Sequence, residues 1–336
     1  MSEIYQCPPP NAIQIEPVEG CSLACWFCAL QVLRDNGADR DSQTHGKSSS
    51  PYLFMTLETA ERIASEIARA GWIPRIEFAM HGEPTMSKQL PAILAIFRKH
   101  NPKASLMVTC NGGGLTTGTF EKIQAMFDAG LNSLVFDDYK HADFVPKIRP
   151  FLALLDMPVY EYPLQKDEAN PHQKFNGRRV IIIQDISINT TGSHQLSNQG
   201  GSSGSHKENI QRRCAKPFRE LSFRWDGNVA LCCDDWPGKY KIGNIHDMPL
   251  EELWNHPRFD AARRRLYQKD RSFGPCNGCT VKTPRDGILP DKQGVDEMPL
   301  PDAESHKHLV DAMRGQPFTP LIKRTKFQSS LNDMLQ

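Results

Sequence analysis

The chain has 336 residues, room for one large domain and a smaller companion. Hydrophobic residues make up 39% and charged residues 24%, which excludes a disordered chain, and no run of about 20 apolar residues offers a membrane span. Forty basic against 39 acidic residues leave a net charge of +1, so nucleic acid and anionic membranes are not indicated as partners.

The opening MSEIYQCPPPN lacks the basic stretch and apolar run of a secretory signal. The expected location is the cytoplasm, where thiols stay reduced. Ten cysteines in that setting point to metal binding or catalysis rather than disulfides. In chain order, 13–17 reads as a strand feeding a cysteine cluster, and the polar, breaker-rich stretch 31–51 as a loop. A helix over 57–70 is capped by Thr56 and stopped by Gly71. A strand over 75–80 ends at His81-Gly82. A helix over 88–100, a strand over 104–109 and a turn at 111–114 follow. Next come a helix over 119–129, a strand over 132–136, a helical pattern over 142–155 and strands at 158–161 and 179–186. Strands alternating with helices over short links predict an α/β fold, a parallel sheet curled into a full or partial barrel with helices outside. Chemistry in such barrels gathers at the C-terminal ends of the strands. The cysteine cluster, the His81 turn and the Asn111 turn all follow strands, so they are expected to meet at one rim.

Residues 191–210, rich in Gly, Ser and Asn, read as a linker. Beyond it a strand pair is expected over 220–224 and 229–232, around the Asp226-Gly227-Asn228 turn. One continuous helix is expected over 250–267. The last segment, 286–336, reads as a peripheral tail with one helix over 303–313.

The stretch EGCSLACWFCAL sets Cys21, Cys25 and Cys28 in one short loop. Three such thiolates wrap one iron–sulfur cube and leave its fourth iron without a protein ligand. An open metal position is what catalysis requires. The C-x3-C-x2-C loop after a first strand, with aromatic Phe27 before the last cysteine, resembles the radical S-adenosylmethionine (radical SAM) superfamily. The resemblance covers residues 12 to about 280. It implies a partial (β/α)6 TIM-like barrel over 1–190, with a 4Fe–4S cluster whose open iron chelates the amino and carboxylate groups of S-adenosylmethionine. An electron from that cluster releases a 5′-deoxyadenosyl radical, which takes a hydrogen atom from the substrate. His81-Gly82-Glu83-Pro84 resembles the family's GGEP turn with His81 in place of the first glycine. By that likeness Gly82, Glu83 and Pro84 meet the methionine ammonium. Thr109-Cys110-Asn111-Gly112 resembles its T-N-G turn with Cys110 inserted, which places Asn111 near the ribose or the substrate. Cys110 itself reads as a small buried residue.

The late cysteines resemble the SPASM/Twitch extension of radical SAM enzymes, a small α+β iron–sulfur domain over 211–285. Two clusters there need about seven cysteines. Cys214, Cys232, Cys276 and Cys279 suffice for one, the Twitch arrangement, so two 4Fe–4S clusters are expected in all, one catalytic and one auxiliary. Cys233 competes with Cys232, because neighbours on a strand face opposite ways; the Gly227-x4-Cys232 spacing favours Cys232. The implied function is an oxidoreductase or bond-forming radical enzyme. Its substrate is a small molecule (a sugar, cyclitol or nucleoside) or, as the alternative, a peptide, and its reductant is of flavodoxin or ferredoxin type. From another class, a zinc-stabilised binding protein without catalysis also uses cysteines in such groups, with His45 as a spare ligand.

Overall fold

The computed structural model describes residues 7–30, 52–139, 142–162, 174–183, 197–203, 213–238 and 240–281. The loop at 31–51 with His45, the expected helix over 303–313 and the end of the strand at 184–186 lie outside these residues.

The strands are β1 (Ala12–Ile15), β2 (Val18–Glu19), β3 (Leu53–Phe54), β4 (Arg75–Phe78), β5 (Ser105–Cys110), β6 (Ser133–Asp137), β7 (Val159–Tyr162), β8 (Arg179–Ile183), β9 (Glu220–Phe223), β10 (Asn228–Ala230) and β11 (Lys241–Asn244). The helices are α1 (Leu57–Arg69), α2 (Leu90–His100), α3 (Thr119–Asp128), α4 (Phe144–Leu152), α5 (Lys216–Arg219), α6 (Leu250–Trp254) and α7 (Pro257–Tyr267). One nine-stranded sheet runs in the order β11-β10-β9-β1-β4-β5-β6-β8-β7. From β9 to β7 every neighbouring pair is parallel, and β10 and β11 add an antiparallel edge. This is the α/β partial barrel with an appended iron–sulfur module. Two features go beyond the sequence reading. β8 inserts between β6 and β7. The late hairpin joins the barrel sheet itself, because β9 pairs in parallel with β1, Ile15 opposite Phe223.

Alternation along the strands builds the layers. Ile13, Ile76, Val108 and Leu134 pack outward against the helices, with Ile63 of α1 and Phe97 of α2 in the same core. α1 forms because Ala60, Ile63, Ala64 and Ile67 recur at helical spacing and are all buried. Thr56 Oγ1 accepts from Thr59 N at 3.1 Å and caps it. Burying each isoleucine contributes about 1.5–3 kcal/mol. The opposite face of the sheet is mixed: Gln14, Glu77 and Glu220 are buried there, and Met107, Val135 and Ile181 form a second, apolar cluster on it. Gln14 Nε2 donates to Glu220 Oε2 at 3.2 Å and Thr109 Oγ1 donates to Glu77 Oε1 at 3.3 Å.

The single helix expected over 250–267 is two. α6 ends at Trp254 and α7 starts at Pro257, with His256 extended at φ −60°, ψ 140°. Proline disfavours helical backbone in the residue before it and is itself at home in a first turn. Cys7 and Cys110 are buried core residues.

Candidate active site

The three rim turns meet, and backbone bonds fasten them. After β2 the chain reaches Gly20, whose carbonyl accepts from Glu83 N at 2.9 Å, and Gly20 bridges Gly82 in parallel. A Cβ on Gly82 would lie 2.0 Å from the Val18 carbonyl oxygen, so only glycine lets the β4 turn touch the approach to Cys21. Glu83 then caps the short 3-10 turn Pro84–Met86. One carboxylate oxygen accepts from Thr85 N at 3.1 Å and from the Thr85 hydroxyl, and the other accepts from Asn111 N at 2.6 Å. Glu83 therefore ties the β4 turn to the β5 turn. Asn111 Nδ2 donates to Cys21 Sγ at 3.2 Å, and its Oδ1 accepts from Gly113 N at 2.7 Å. This places Asn111 against the cluster loop. Burial pushes the Glu83 carboxyl up to about 7 against the pull of those donors.

In the loop, Cys28 N donates to Cys25 O at 3.0 Å and Leu23 N to Cys21 Sγ at 3.3 Å. Burial, with the neighbouring thiols behind it, pushes Cys25 up to about 12. Burial likewise lifts Cys21 to about 11. Phe27 lies between Trp26 and Tyr139, ring centres 5.5 Å and 5.8 Å away. Tyr139 follows β6, the fourth βα strand, and its hydroxyl donates to Asp137 Oδ2 at 3.4 Å.

The late thiols gather on the far side of β1. Cys232 and Cys276 are buried, Cys214 and Cys279 half-buried. Burial lifts all four thiols; after it, Cys276 adds to the push on Cys232, and Cys214 to that on Cys276 and Cys279. Cys233 Sγ lies 3.0 Å from Lys216 Nζ.

Both cysteine groups suit iron–sulfur cubes. Protonated thiols crowded in low dielectric give up their protons to metal. Three thiols in the first loop would leave one cube corner without a protein ligand, and four in the second would supply all corners.

Two ties between these regions carried no sequence signal. The first runs through residues 198–201, inside the stretch read as a linker. Gln199 Oε1 accepts from Ala29 N at 2.7 Å, one residue past Cys28. Asn198 N donates to Thr280 Oγ1 at 2.8 Å, and Asn198 Oδ1 accepts from Thr280 N at 2.9 Å, one residue past Cys279. Gly200, at φ +67°, passes so close to Asp234 that a Cβ would sit 2.1 Å from its carbonyl oxygen. The second tie is His81. Its Nε2 donates to Cys233 O at 2.9 Å, its Nδ1 lies 2.9 Å from Glu16 Oε1, and its ring packs 4.4 Å from Trp236. Trp236 in turn packs on Ala29 and Leu30, with Cys21 and Cys28 at the edge of the cluster. Burial alone would raise the Glu16 carboxyl, but Arg224 and His81 outweigh it and hold it below the usual range.

The radical SAM superfamily profile matches residues 15–137, and the SPASM iron-sulfur cluster-binding domain profile matches residues 214–280. The chain belongs to the radical SAM superfamily. Its SPASM-type extension adds an auxiliary iron–sulfur site, and its cofactors are 4Fe–4S clusters and S-adenosylmethionine. Among characterised proteins it is similar to the S-adenosyl-L-methionine-dependent 2-deoxy-scyllo-inosamine dehydrogenase of Niallia circulans, 22% identical over 279 residues that cover 81% of this chain and 95% of that protein. Among solved structures it resembles BtrN in complex with AdoMet and 2-DOIA, at TM-score 0.59 and 18% identity, covering 86% of this chain and 98% of that one. It also resembles selenomethionine BtrN in an open conformation, at TM-score 0.53 and 16% identity, covering 84% and 94%. These structural likenesses establish the shared fold. The radical SAM enzyme has no helix among its described residues long and apolar enough to cross a membrane.

Proposed function

We propose that this radical SAM enzyme oxidises a hydroxyl group of a small polyhydroxylated substrate, a cyclitol or sugar, to a carbonyl. When bound, the catalytic cluster, S-adenosylmethionine and the auxiliary cluster supply a hydrogen-atom acceptor and a one-electron acceptor, which with a proton acceptor complete such an oxidation. Cys21, Cys25 and Cys28 hold the catalytic cluster. Cys214, Cys232, Cys276 and Cys279 hold the auxiliary one, with Cys232 preferred to Cys233 on the Gly227-x4-Cys232 spacing. Gly82, Glu83 and Pro84 present the turn that receives the methionine ammonium, Phe27 and Asn111 flank the cofactor, and Glu83 fixes the spacing of the two turns.

The observation that carries the substrate class is a set of polar side chains on the inner face of the barrel, which they share with the apolar cluster of Met107, Val135 and Ile181. Toward the rim it ends in Glu77, Thr109 and Asp137, acceptors and donors at the height of the cofactor turns. Hydroxyl groups entering that space meet acceptors and donors suited to them. The dehydrogenase from Niallia circulans, matched over 95% of its length, supports the same reading. A flavodoxin- or ferredoxin-type donor is the expected reductant, and the cytoplasm the expected location.

The test is anaerobic incubation of the reconstituted enzyme with S-adenosylmethionine, reductant and a panel of cyclitols, aminocyclitols and sugars. The reading predicts 5′-deoxyadenosine together with a product lacking two hydrogens. Turnover of peptides, with every polyol inert, would contradict it.

A further inference from the structure

The auxiliary thiols share their surroundings with a buried ion pair. Lys216 is 2% exposed and Asp234 3% exposed, and the Lys216 ammonium contacts the Asp234 carboxylate directly. Lys216 stands two residues after Cys214 and Asp234 two residues after Cys232, so the pair bridges the segments that carry two of the four thiols. The ammonium also lies 3.0 Å from Cys233 Sγ. Water is excluded from the pair, so neither charge is screened as it would be at the surface.

A cluster held by four thiolates gains a further negative charge on reduction. A buried cation beside it favours the reduced form and raises its potential; a buried anion does the reverse. We propose that Lys216 and Asp234 set the reduction potential of the auxiliary cluster as opposed charges, Lys216 raising it and Asp234 lowering it. Lys216 is thus the residue that makes the auxiliary site a competent electron acceptor, and Asp234 limits how strongly it holds the electron. The inference rests on the proposed oxidative function for its purpose, but not for its measurement. Cys233, one residue past a ligand, then serves as a packing thiol against the ammonium.

The experiment is a redox titration followed by electron paramagnetic resonance. It uses the full-length protein with both clusters reconstituted, the auxiliary signal being the one unchanged by added S-adenosylmethionine. Lys216→Gln is expected to shift the auxiliary potential down and Asp234→Asn to shift it up, with the double variant between them and Lys216→Arg close to the parent. Any other pattern for the two single variants, including shifts of the same sign or none, overturns the proposal. Should Lys216→Gln fail to hold its cluster, Asp234→Asn decides alone: a rise supports the proposal, and a fall or no change overturns it. No substrate is present in this measurement, so its failure would leave the oxidative function standing, whereas loss of that function would show only in the turnover assay.

Discussion

Glu83 joins two turns of the rim with one carboxylate, and its burial lifts that carboxyl to about 7. A raised carboxyl is partly protonated near neutral pH, while a cationic ligand favours the ionised form. With Glu83 at the proposed ammonium site, binding of S-adenosylmethionine is expected to release a proton, its affinity rising as pH climbs toward about 7 and levelling off above it. Equilibrium binding between about pH 6 and 8 checks this, and in Glu83→Gln the dependence is expected to flatten. The same substitution sets an amide against the N–H of Asn111 or Thr85 and costs about 1–3 kcal/mol of stability, readable by chemical denaturation. Cys25→Ala removes an iron ligand and is expected to abolish 5′-deoxyadenosine formation; its persistence in that variant would refute the assignment of the first loop. The residues of this rim were legible in the sequence through their motifs: three thiols in one loop, and two short turns after strands that resemble those of the radical SAM family. The partners of His81 were not, since Glu16 and Cys233 lie far along the chain and come near it only through the pairing of β9 with β1.

At the scale of elements, strands and helices of the barrel were readable from apolar spacing and caps, as Thr56 and Gly71 show for α1. The break before Pro257 was missed: the apolar period continues through it, and proline's constraint on the residue before it outweighs that period. Sheet order was not readable: nothing local in β7 or β8 says which lies beside β6. Nor was the clasp at 198–201, where a Gly- and Ser-rich composition suggested a linker. Its function lies in hydrogen bonds to Ala29 and Thr280 that composition does not encode. Gln199→Ala leaves the Ala29 N–H without its acceptor, at a cost of about 1–3 kcal/mol concentrated in the first cysteine loop. The expected outcome is weaker retention of the catalytic cluster with the auxiliary cluster intact, checked by iron content and by the resonance signal that responds to S-adenosylmethionine.

Across the whole molecule, barrel and auxiliary module are one sheet, and His81, Trp236 and Gln199 pack the late cysteine region against the first loop. The two groups of thiols are nonetheless separate along the chain. Cys276→Ala with Cys279→Ala is expected to remove about half of the iron and leave slow cleavage of S-adenosylmethionine, measured by iron analysis and by product chromatography. Unchanged iron content would show that these thiols bind no cluster. The central claim, a radical enzyme with one open and one closed cluster, is tested most directly by anaerobic reconstitution with iron and sulfide. Iron and 5′-deoxyadenosine are then assayed together after addition of S-adenosylmethionine and dithionite. About eight irons per chain with 5′-deoxyadenosine formed is the predicted result; bound zinc in place of iron, with the cofactor left whole, would contradict it.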